Sequence, residues 1–308
     1  MEKLPKIIAI VGPTASGKTA LGLELAKKFN GEIISADSRQ IYKKMDIGTD
    51  KPKGAWQKFE GGEAYFAQGV PHYLMDIIDP GQDFSLADFK ELAKKHINNI
   101  LGRGKLPIMV GGTGLYFQSI IDNFDIPEIA PNKKLRKELE KKSLEELLEL
   151  LKKLDEETFK KIDIKNPRRV VRALEVVILT GKSFVKQQTK SKPEYNCLQI
   201  GIKRDKEELY ERINKRVGNQ YIRGLLSEVE SLIKQKYGWQ LPGMTGIGYK
   251  QIGYYLRGEM SLDEAKEILK RDTRHYAKRQ LTWFKRDERI KWIKEKKEAE
   301  KLIEEFIK

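Results

Sequence analysis

Apolar and polar positions follow two different periods along this chain, and their alternation predicts an alternation of strands and helices. Short apolar runs are typical of strands buried on both faces of a sheet, and they lie at residues 6–11, 32–36, 73–78 and 106–110. A helix is predicted to begin after Ser85, where apolar residues recur at helical spacing. The order of these elements predicts an α/β fold with a parallel, doubly wound sheet flanked by helices.

The pattern changes in the middle of the chain. Residues 132–161 are highly charged and carry leucines at helical spacing, and a further helix is predicted at 167–179, ended by Gly181. The remaining predicted elements are a strand at 198–202, helices at 206–217, 225–236 and 262–284, and a strand at 290–293. We therefore predict a core of residues 1–125 and 198–308, interrupted by a mostly helical insertion at 126–197.

The first predicted strand runs into a glycine-rich loop. Gly12, Gly17, Lys18 and Thr19 fill the pattern Gly-x-x-x-x-Gly-Lys-Thr, and a helical run follows. Such a loop turns successive N–H groups towards phosphate oxygens, Lys18 adds a cation, and the Thr19 hydroxyl can bind magnesium. This context favours a phosphate-binding loop of the P-loop NTPase type over an ordinary glycine-rich turn.

Composition narrows the choice of partner. The chain of 308 residues has a formal charge of +15, which favours a polyanion, although a surface rich in lysine and glutamate is the alternative. One cysteine and three histidines exclude an intrachain disulfide and a cysteine- or histidine-rich metal cluster. The start is short and polar, and no apolar run approaches the roughly 18 residues of a membrane span, so we expect a cytoplasmic protein without membrane contact.

Polar groups follow two more of the predicted strands. Asp37 ends the second and begins a segment rich in hydroxyl, amide and carboxylate groups, and Gly111, Gly112 and Thr113 end the fourth. Because the carboxyl ends of parallel strands meet at one edge, these residues and the glycine-rich loop should share a pocket. Taken alone, Asp37 fits a helix cap as well as a catalytic base, and the glycines fit a turn. The fourth strand lacks the terminal acid common in ATP-hydrolysing proteins.

Basic residues cluster in two places. One cluster falls within a single helical turn at Arg168, Arg169 and Arg172. The other follows one helix face, with aromatic residues interleaved, at Arg271, Arg274, Lys278 and Lys285. Each alone fits a solvated helix face, but both together, on a basic chain with a phosphate site, favour a nucleic acid partner.

Several segments together resemble one known family. GPTASGKT, ADSRQIYKKMDIGTDKP, DFSLADF, VGGTGLYFQSI, NPRRVVRALEV, TGIGYKQ and YAKRQLTWFKRD occur in the order found in bacterial tRNA dimethylallyltransferases, and they span the chain from its first strand to about Asp287. The resemblance implies transfer of a dimethylallyl group from dimethylallyl diphosphate to N6 of adenine 37, in the anticodon stem-loop of tRNAs that read codons beginning with U. Magnesium is the cofactor expected from the diphosphate and the Thr19 hydroxyl, and we expect a monomer.

The resemblance assigns roles residue by residue. Asp37 matches the general base, Thr113 a residue near the reaction centre, and Lys18 a catalytic cation. The implied diphosphate ligands are Gly12, Pro13, Thr14, Ala15, Ser16, Gly17, Lys18, Thr19 and Arg216, with Thr19 also the metal ligand. The implied tRNA contacts are Asp37, Ser38, Arg39, Gln40, Thr113, Arg136, Arg168, Arg169, Val170, Val171, Arg172, Thr245, Gly246, Ile247, Gly248, Tyr249, Lys250, Lys278, Arg279, Gln280, Leu281, Thr282, Trp283, Phe284 and Lys285.

Two other function classes remain as alternatives. A P-loop kinase acting on a small molecule shares the loop at Gly12 to Thr19, but it would turn over ATP and would not need the basic faces. A non-enzymatic RNA-binding protein accounts for the charge, but it leaves the loop and Asp37 without a role.

Overall fold

A computed structural model gives the fold of the chain and describes residues 3–124, 129, 132–187 and 191–308. The chain contains two compact units, one formed by Met1–Ile121 with Glu194–Lys308 and the other by Asp122–Pro193. The predicted boundary at residue 126 lies outside the described residues. Within the described ranges, no helix is both long enough and apolar enough to cross a membrane.

The first unit is built on one sheet of eight strands. In chain order they are β1 (Lys6–Val11), β2 (Gly31–Ala36), β3 (Gly54–Phe59), β4 (Gly62–Ala67), β5 (Val70–Tyr73), β6 (Leu106–Gly111), β7 (Asn196–Ile202) and β8 (Lys291–Ile293). Their order in the sheet is β3-β4-β5-β2-β6-β1-β7-β8. The pairs from β5 to β8 are all parallel, whereas β3 and β4 form an antiparallel hairpin that extends one edge. The predicted α/β class with a mostly parallel sheet is confirmed.

Helices cover both faces of this sheet. In chain order the helices of the two units together are α1 (Lys18–Lys28), α2 (Leu86–Gly102), α3 (Gly114–Ile121), α4 (Lys133–Leu139), α5 (Leu144–Leu154), α6 (Glu156–Lys161), α7 (Pro167–Thr180), α8 (Lys206–Ile222), α9 (Leu225–Lys234), α10 (Tyr249–Leu256), α11 (Leu262–Phe284) and α12 (Lys296–Ile307), of which α4 to α7 belong to the second unit. Residues alternate along β1, so that Ile7 and Ala9 pack with α2 and α3 while Ile8 and Ile10 pack with α1 and α12. Burial on both faces explains the continuous apolar run of β1.

The second unit is helical, and it contains α4 to α7. Its core is formed by Leu147 and Leu151 of α5 with Val170 and Leu174 of α7. Glu175 of α7 is completely buried in the same unit and accepts hydrogen bonds from two arginines and a backbone N–H. Burial of a carboxylate is compensated here by three charged or polar donors.

Two parts of the sheet differ from the sequence-based predictions. The strand predicted at 73–78 is wrong beyond Tyr73, because Leu74 and Asp76 both adopt φ of 58° and turn the chain away from the sheet. The hairpin of β3 and β4 was not predicted, since β3 is exposed along nearly its whole length and its apolar residues do not alternate with polar ones. By contrast, Ser85 caps α2 as predicted, with its hydroxyl accepting from the Asp88 N–H.

Candidate active site

The loop from Gly12 to Thr19 joins β1 to α1 and turns through three residues with positive φ. These are Gly12 at 145°, Ala15 at 61° and Gly17 at 101°. A Cβ atom on Gly12 would lie 3.3 Å from the Ser16 Oγ, and its φ is one that side-chain-bearing residues rarely adopt. Because α1 begins directly after Gly17, free helix N–H groups and the positive end of the helix dipole lie at this loop, which suits an anion.

Lys18 is the cation of this loop. Its Nζ donates a hydrogen bond to the Pro13 carbonyl oxygen at 2.6 Å. Burial lowers the pKa of Lys18 to about 7, attraction by Asp37 opposes the shift, and repulsion by Arg216 adds to it. The neutral amine of Lys18 is therefore poised to gain a proton when an anion approaches.

Asp37 and Thr113 follow the neighbouring strands β2 and β6. The Asp37 Oδ1 accepts a hydrogen bond from the Arg39 N–H at 2.8 Å. The Thr113 Oγ1 accepts from the Ser38 N–H at 3.1 Å and lies 3.3 Å from the Ser38 Oγ, while its own N–H donates to the Ala36 carbonyl at 3.1 Å. Thr113 thus fixes the backbone that directly follows β2, next to Asp37.

A cavity of about 600 Å³ lies at this edge of the sheet. Lys18, Thr19 and Asp37 line it, so the predicted cation, hydroxyl and carboxylate share one space. Its wall is mixed, with apolar, polar and basic side chains that include Ile33, Val110, Met75, His72, Ser38, Gln40, Arg39, Arg216, Tyr276 and Arg279. Such a space can accept a ligand with an anionic and an apolar part.

Gln280 of α11 ties two of these loops together. Its Oε1 accepts a hydrogen bond from the Thr14 N–H at 2.8 Å, and its Nε2 donates to the Gly112 carbonyl at 2.9 Å. The residue is 6% exposed. A Cβ atom on Gly112 would lie 2.1 Å from the Nε2, so glycine is needed for this approach. Gln280 therefore fixes the glycine-rich loop against the loop that carries Thr113.

The segment after Asp37 is held from several sides. Glu228 of α9 accepts hydrogen bonds from the N–H groups of Asp46, Ile47 and Gly48 at 2.7 to 3.0 Å. The Tyr249 hydroxyl donates to the same carboxylate at 2.6 Å. A carboxylate bound by three successive backbone amides fixes this part of the segment in one conformation.

An ion-pair network joins the end of this segment to α8. The Asp50 carboxylate lies 3.2 Å from the Arg216 Nη1 through Oδ2 and 3.0 Å from the Arg223 Nη1 through Oδ1. The Arg216 Nη2 also donates to the Thr49 carbonyl at 3.4 Å. Arg216, predicted from the sequence as a diphosphate ligand, thus lies on the cavity wall beside a carboxylate.

Residues predicted to contact RNA differ widely in exposure. Exposed side chains in these segments belong to Arg168, Arg169, Thr245, Lys250, Lys278, Arg279, Thr282 and Lys285. Buried ones belong to Val170, Val171, Tyr249, Gln280 and Phe284, so these side chains present no surface to a large ligand. Arg136 and Arg172 both bind Glu175, at 2.8 and 2.6 Å, and this pairing gives them a structural role within their unit.

The described residues contain no group of three histidine, cysteine, aspartate or glutamate side chains that could hold a metal ion. Thr19 is in the first turn of α1 and lines the cavity, where a hydroxyl could complete the shell of an ion held mainly by a ligand's phosphates. This donor set fits magnesium bound together with a phosphate compound.

Sequence reasoning did not assign Asp50, Arg223 or the bridging role of Gln280. For Gln280 a signal exists, because Leu269, Thr273, Ala277, Gln280 and Phe284 form the buried stripe of α11. For Asp50 and Arg223 there is no such signal, since their contact joins residues 173 positions apart.

Two sequence profiles match the chain: one described as IPP transferase over residues 40–287, and one described as isopentenyl transferase over residues 5–67. Two curated relatives are tRNA dimethylallyltransferases. The protein of Acetivibrio thermocellus is 49% identical over 94% of this chain and 92% of its own length. That of Carboxydothermus hydrogenoformans is 45% identical over 98% and 96%.

Solved structures agree with these matches. The full-length tRNA isopentenylpyrophosphate transferase of Bacillus halodurans is 39% identical, with a TM-score of 0.69, over 98% of this chain and 95% of its own. A eukaryotic dimethylallyltransferase described as acting on tRNA is 30% identical, with a TM-score of 0.72, over 91% of this chain and 69% of its own.

Proposed function

The chain belongs to the tRNA dimethylallyltransferase family and transfers a dimethylallyl group to tRNA, and on this premise we propose a donor, an acceptor and a set of catalytic residues. The donor is dimethylallyl diphosphate, and the acceptor is N6 of adenine 37 in tRNAs that read codons beginning with U. The products are N6-(dimethylallyl)adenosine and diphosphate. We further propose that the enzyme works as a monomer in the cytoplasm.

One observation carries this proposal: the Asp37 carboxylate and the glycine-rich loop with Lys18 line the same cavity. The adenine amine is a weak nucleophile because its lone pair is delocalised into the ring. Asp37 accepts an N6 proton as the nitrogen attacks the allylic carbon, and the bond from that carbon to the diphosphate oxygen breaks. General-base catalysis of this kind contributes roughly 100- to 10,000-fold.

The leaving diphosphate gains negative charge as this bond breaks. Lys18, the loop amides and Arg216 are the groups that would stabilise it. The protonated form of Lys18 binds the anion better than its neutral form does. Because the pKa of Lys18 is low in the free enzyme, diphosphate binding is coupled to proton uptake. A magnesium ion held by the diphosphate and Thr19 would supply further charge neutralisation.

The apolar part of the cavity wall suits the five-carbon chain of the donor. Ile33, Met75 and Val110 line it together with the polar groups. Adenine 37 must leave its stack to enter, which costs a few kcal/mol and less in a loop than in a duplex. The exposed side chains of Lys278 and Arg279 on α11 are available to bind the tRNA backbone.

Single-turnover prenylation of unmodified tRNA by the Asp37→Asn variant tests the base. We expect the rate to fall roughly 100- to 10,000-fold, since the amide cannot accept the proton, while tRNA binding in a filter assay is retained. A near-wild-type rate with tRNA bound would remove Asp37 from this role. Wild-type enzyme is incubated with unmodified tRNA, labelled dimethylallyl diphosphate and magnesium, and in a separate reaction with ATP. ATP turnover without prenylated adenine would favour the kinase alternative.

A further inference from the structure

Asp50 is a charged group that the proposed chemistry does not use. Its φ of 54° lies in the left-handed region, which is uncommon for aspartate, and its N–H donates to the Ile47 carbonyl at 3.1 Å. This turn brings the carboxylate between Arg216 of α8 and Arg223, the residue that directly follows α8. The backbone therefore presents Asp50 to both arginines at once.

Arg216 has a second environment besides Asp50. It lines the cavity with Lys18, whose pKa is lowered mainly by burial; Asp37 opposes this shift, and the positive charge of Arg216 adds to it. A guanidinium has five N–H donors and can exchange one anionic partner for another by a small rotation. The structure thus pairs a cation of the phosphate-binding cavity with a carboxylate of the protein.

We propose that Asp50 is a competing counter-ion, which holds Arg216 in the free enzyme, gives it up to diphosphate, and takes it back as the product leaves. The inference rests on the proposed function of the cavity as the diphosphate site. Asp50 then weakens the binding of diphosphate and speeds its release. The carboxylate is 38% exposed, so its pairing with Arg216 has the strength of a surface pair, which corresponds to about two- to five-fold in Kd.

Arg223 should change the affinity for diphosphate in the direction opposite to Asp50. It shares the Asp50 carboxylate at 3.0 Å and so reduces the hold of Asp50 on Arg216. Removal of Arg223 should therefore strengthen the pair of Asp50 with Arg216 and raise the Kd for diphosphate. In a protein that lacks the Asp50 charge, removal of Arg223 should have a smaller effect.

The test is calorimetric titration of inorganic diphosphate, with magnesium and without tRNA, into full-length wild type, Asp50→Asn, Arg216→Ala and the double variant. We expect Asp50→Asn to lower Kd about two- to five-fold, Arg216→Ala to raise it, and Asp50→Asn to leave Kd unchanged when Arg216 is absent. Asp263→Asn is the matched control, because it removes one exposed carboxylate that does not line the cavity.

Equal tightening by Asp50→Asn with and without Arg216 would mean a general effect of charge, and it would overturn the inference. Weaker binding by Asp50→Asn would also overturn it, since Asp50 would then support Arg216 rather than compete for it. If wild type binds no diphosphate at all, the proposed function of the cavity fails. If wild type binds and only the variants depart from expectation, the inference alone fails.

Discussion

Gln280 connects Gly112 with Thr14, which lies 266 positions before Gln280 in the sequence, and the variant Gln280→Met removes this connection while it keeps the length and approximate volume of the side chain. Wild-type Gln280 satisfies the Thr14 N–H at 2.8 Å and the Gly112 carbonyl at 2.9 Å. The thioether can replace neither bond with comparable strength. We therefore expect both a loss of stability and a displacement of the glycine-rich loop.

The two lost bonds differ in cost because their surroundings differ. The bond from Gln280 to the Gly112 carbonyl is buried, so an unpaired carbonyl there costs about 1–3 kcal/mol. Thr14 lines the cavity and water can reach its N–H, which limits the second loss to about 1 kcal/mol. The free energy of unfolding should fall by about 2–4 kcal/mol in total.

Urea unfolding and steady-state kinetics measure the two effects. We expect kcat/KM for the prenyl donor to fall up to about 100-fold, as is usual for a displacement of about 1 Å in a catalytic loop, with a smaller change in KM for tRNA. Gln251→Met is the matched control. That buried glutamine accepts from the Gly248 N–H at 2.8 Å and donates to Asp272 at 2.8 Å, so its loss should lower stability and largely spare the donor. Unchanged stability and donor kinetics in Gln280→Met would refute the bridge.

Two further predictions concern charge. Lys18 is largely neutral above about pH 7 in the free enzyme, so diphosphate binding should take up a proton and weaken as pH rises. Calorimetric titration in buffers of different ionisation enthalpy measures the number of protons taken up on binding. The Lys18→Met variant should abolish the part of this proton uptake that is due to the protein. Arg172→Ala should cost about 1.5–3 kcal/mol in urea unfolding, because it removes a donor to buried Glu175, whereas Arg168→Ala should spare stability and reduce the salt dependence of tRNA binding by about one unit of slope. A Lys18→Met variant with the wild-type proton uptake, or an Arg172→Ala variant as stable as Arg168→Ala, would contradict these expectations.

The sequence predicts for a simple geometric reason that Lys18, Asp37 and Thr113 lie at one edge of the sheet, where Lys18 and Asp37 line the cavity and Thr113 binds the backbone next to Asp37. Each follows a strand of the same parallel sheet, and the strands β1, β6 and β2 are neighbours, so their carboxyl ends must lie together. Apolar runs buried on both faces make those strands easy to identify. Local pattern and one rule of topology are sufficient for this part of the site.

Other parts of the site depend on contacts that local pattern does not contain. Gln280 lies among basic residues in the sequence, and its neighbours Lys278 and Arg279 are exposed, as their proposed role in tRNA binding requires. Only the position of Gln280 on the buried face of α11 distinguishes it from Lys278 and Arg279. The turn at Leu74 and Asp76 is missed for a related reason, because their left-handed backbone is stabilised by hydrogen bonds from Asp76, Ile77 and Ile78 to residues 40 and 41.

The residues of the site come from two parts of the chain, one before and one after the helical unit. Lys18 and the proposed base Asp37 follow strands that precede the helical unit, whereas Arg216, a proposed diphosphate ligand, and Gln280 lie on α8 and α11, which follow it. Neither Lys18 nor Asp37 keeps its surroundings without the later helices, since Thr14 is held by α11 and Asp50 by α8. Substitutions on α8 and α11 should therefore change donor affinity although these helices contribute no proton-transfer group. The catalytic groups and the groups that position them are consequently separable by kinetics.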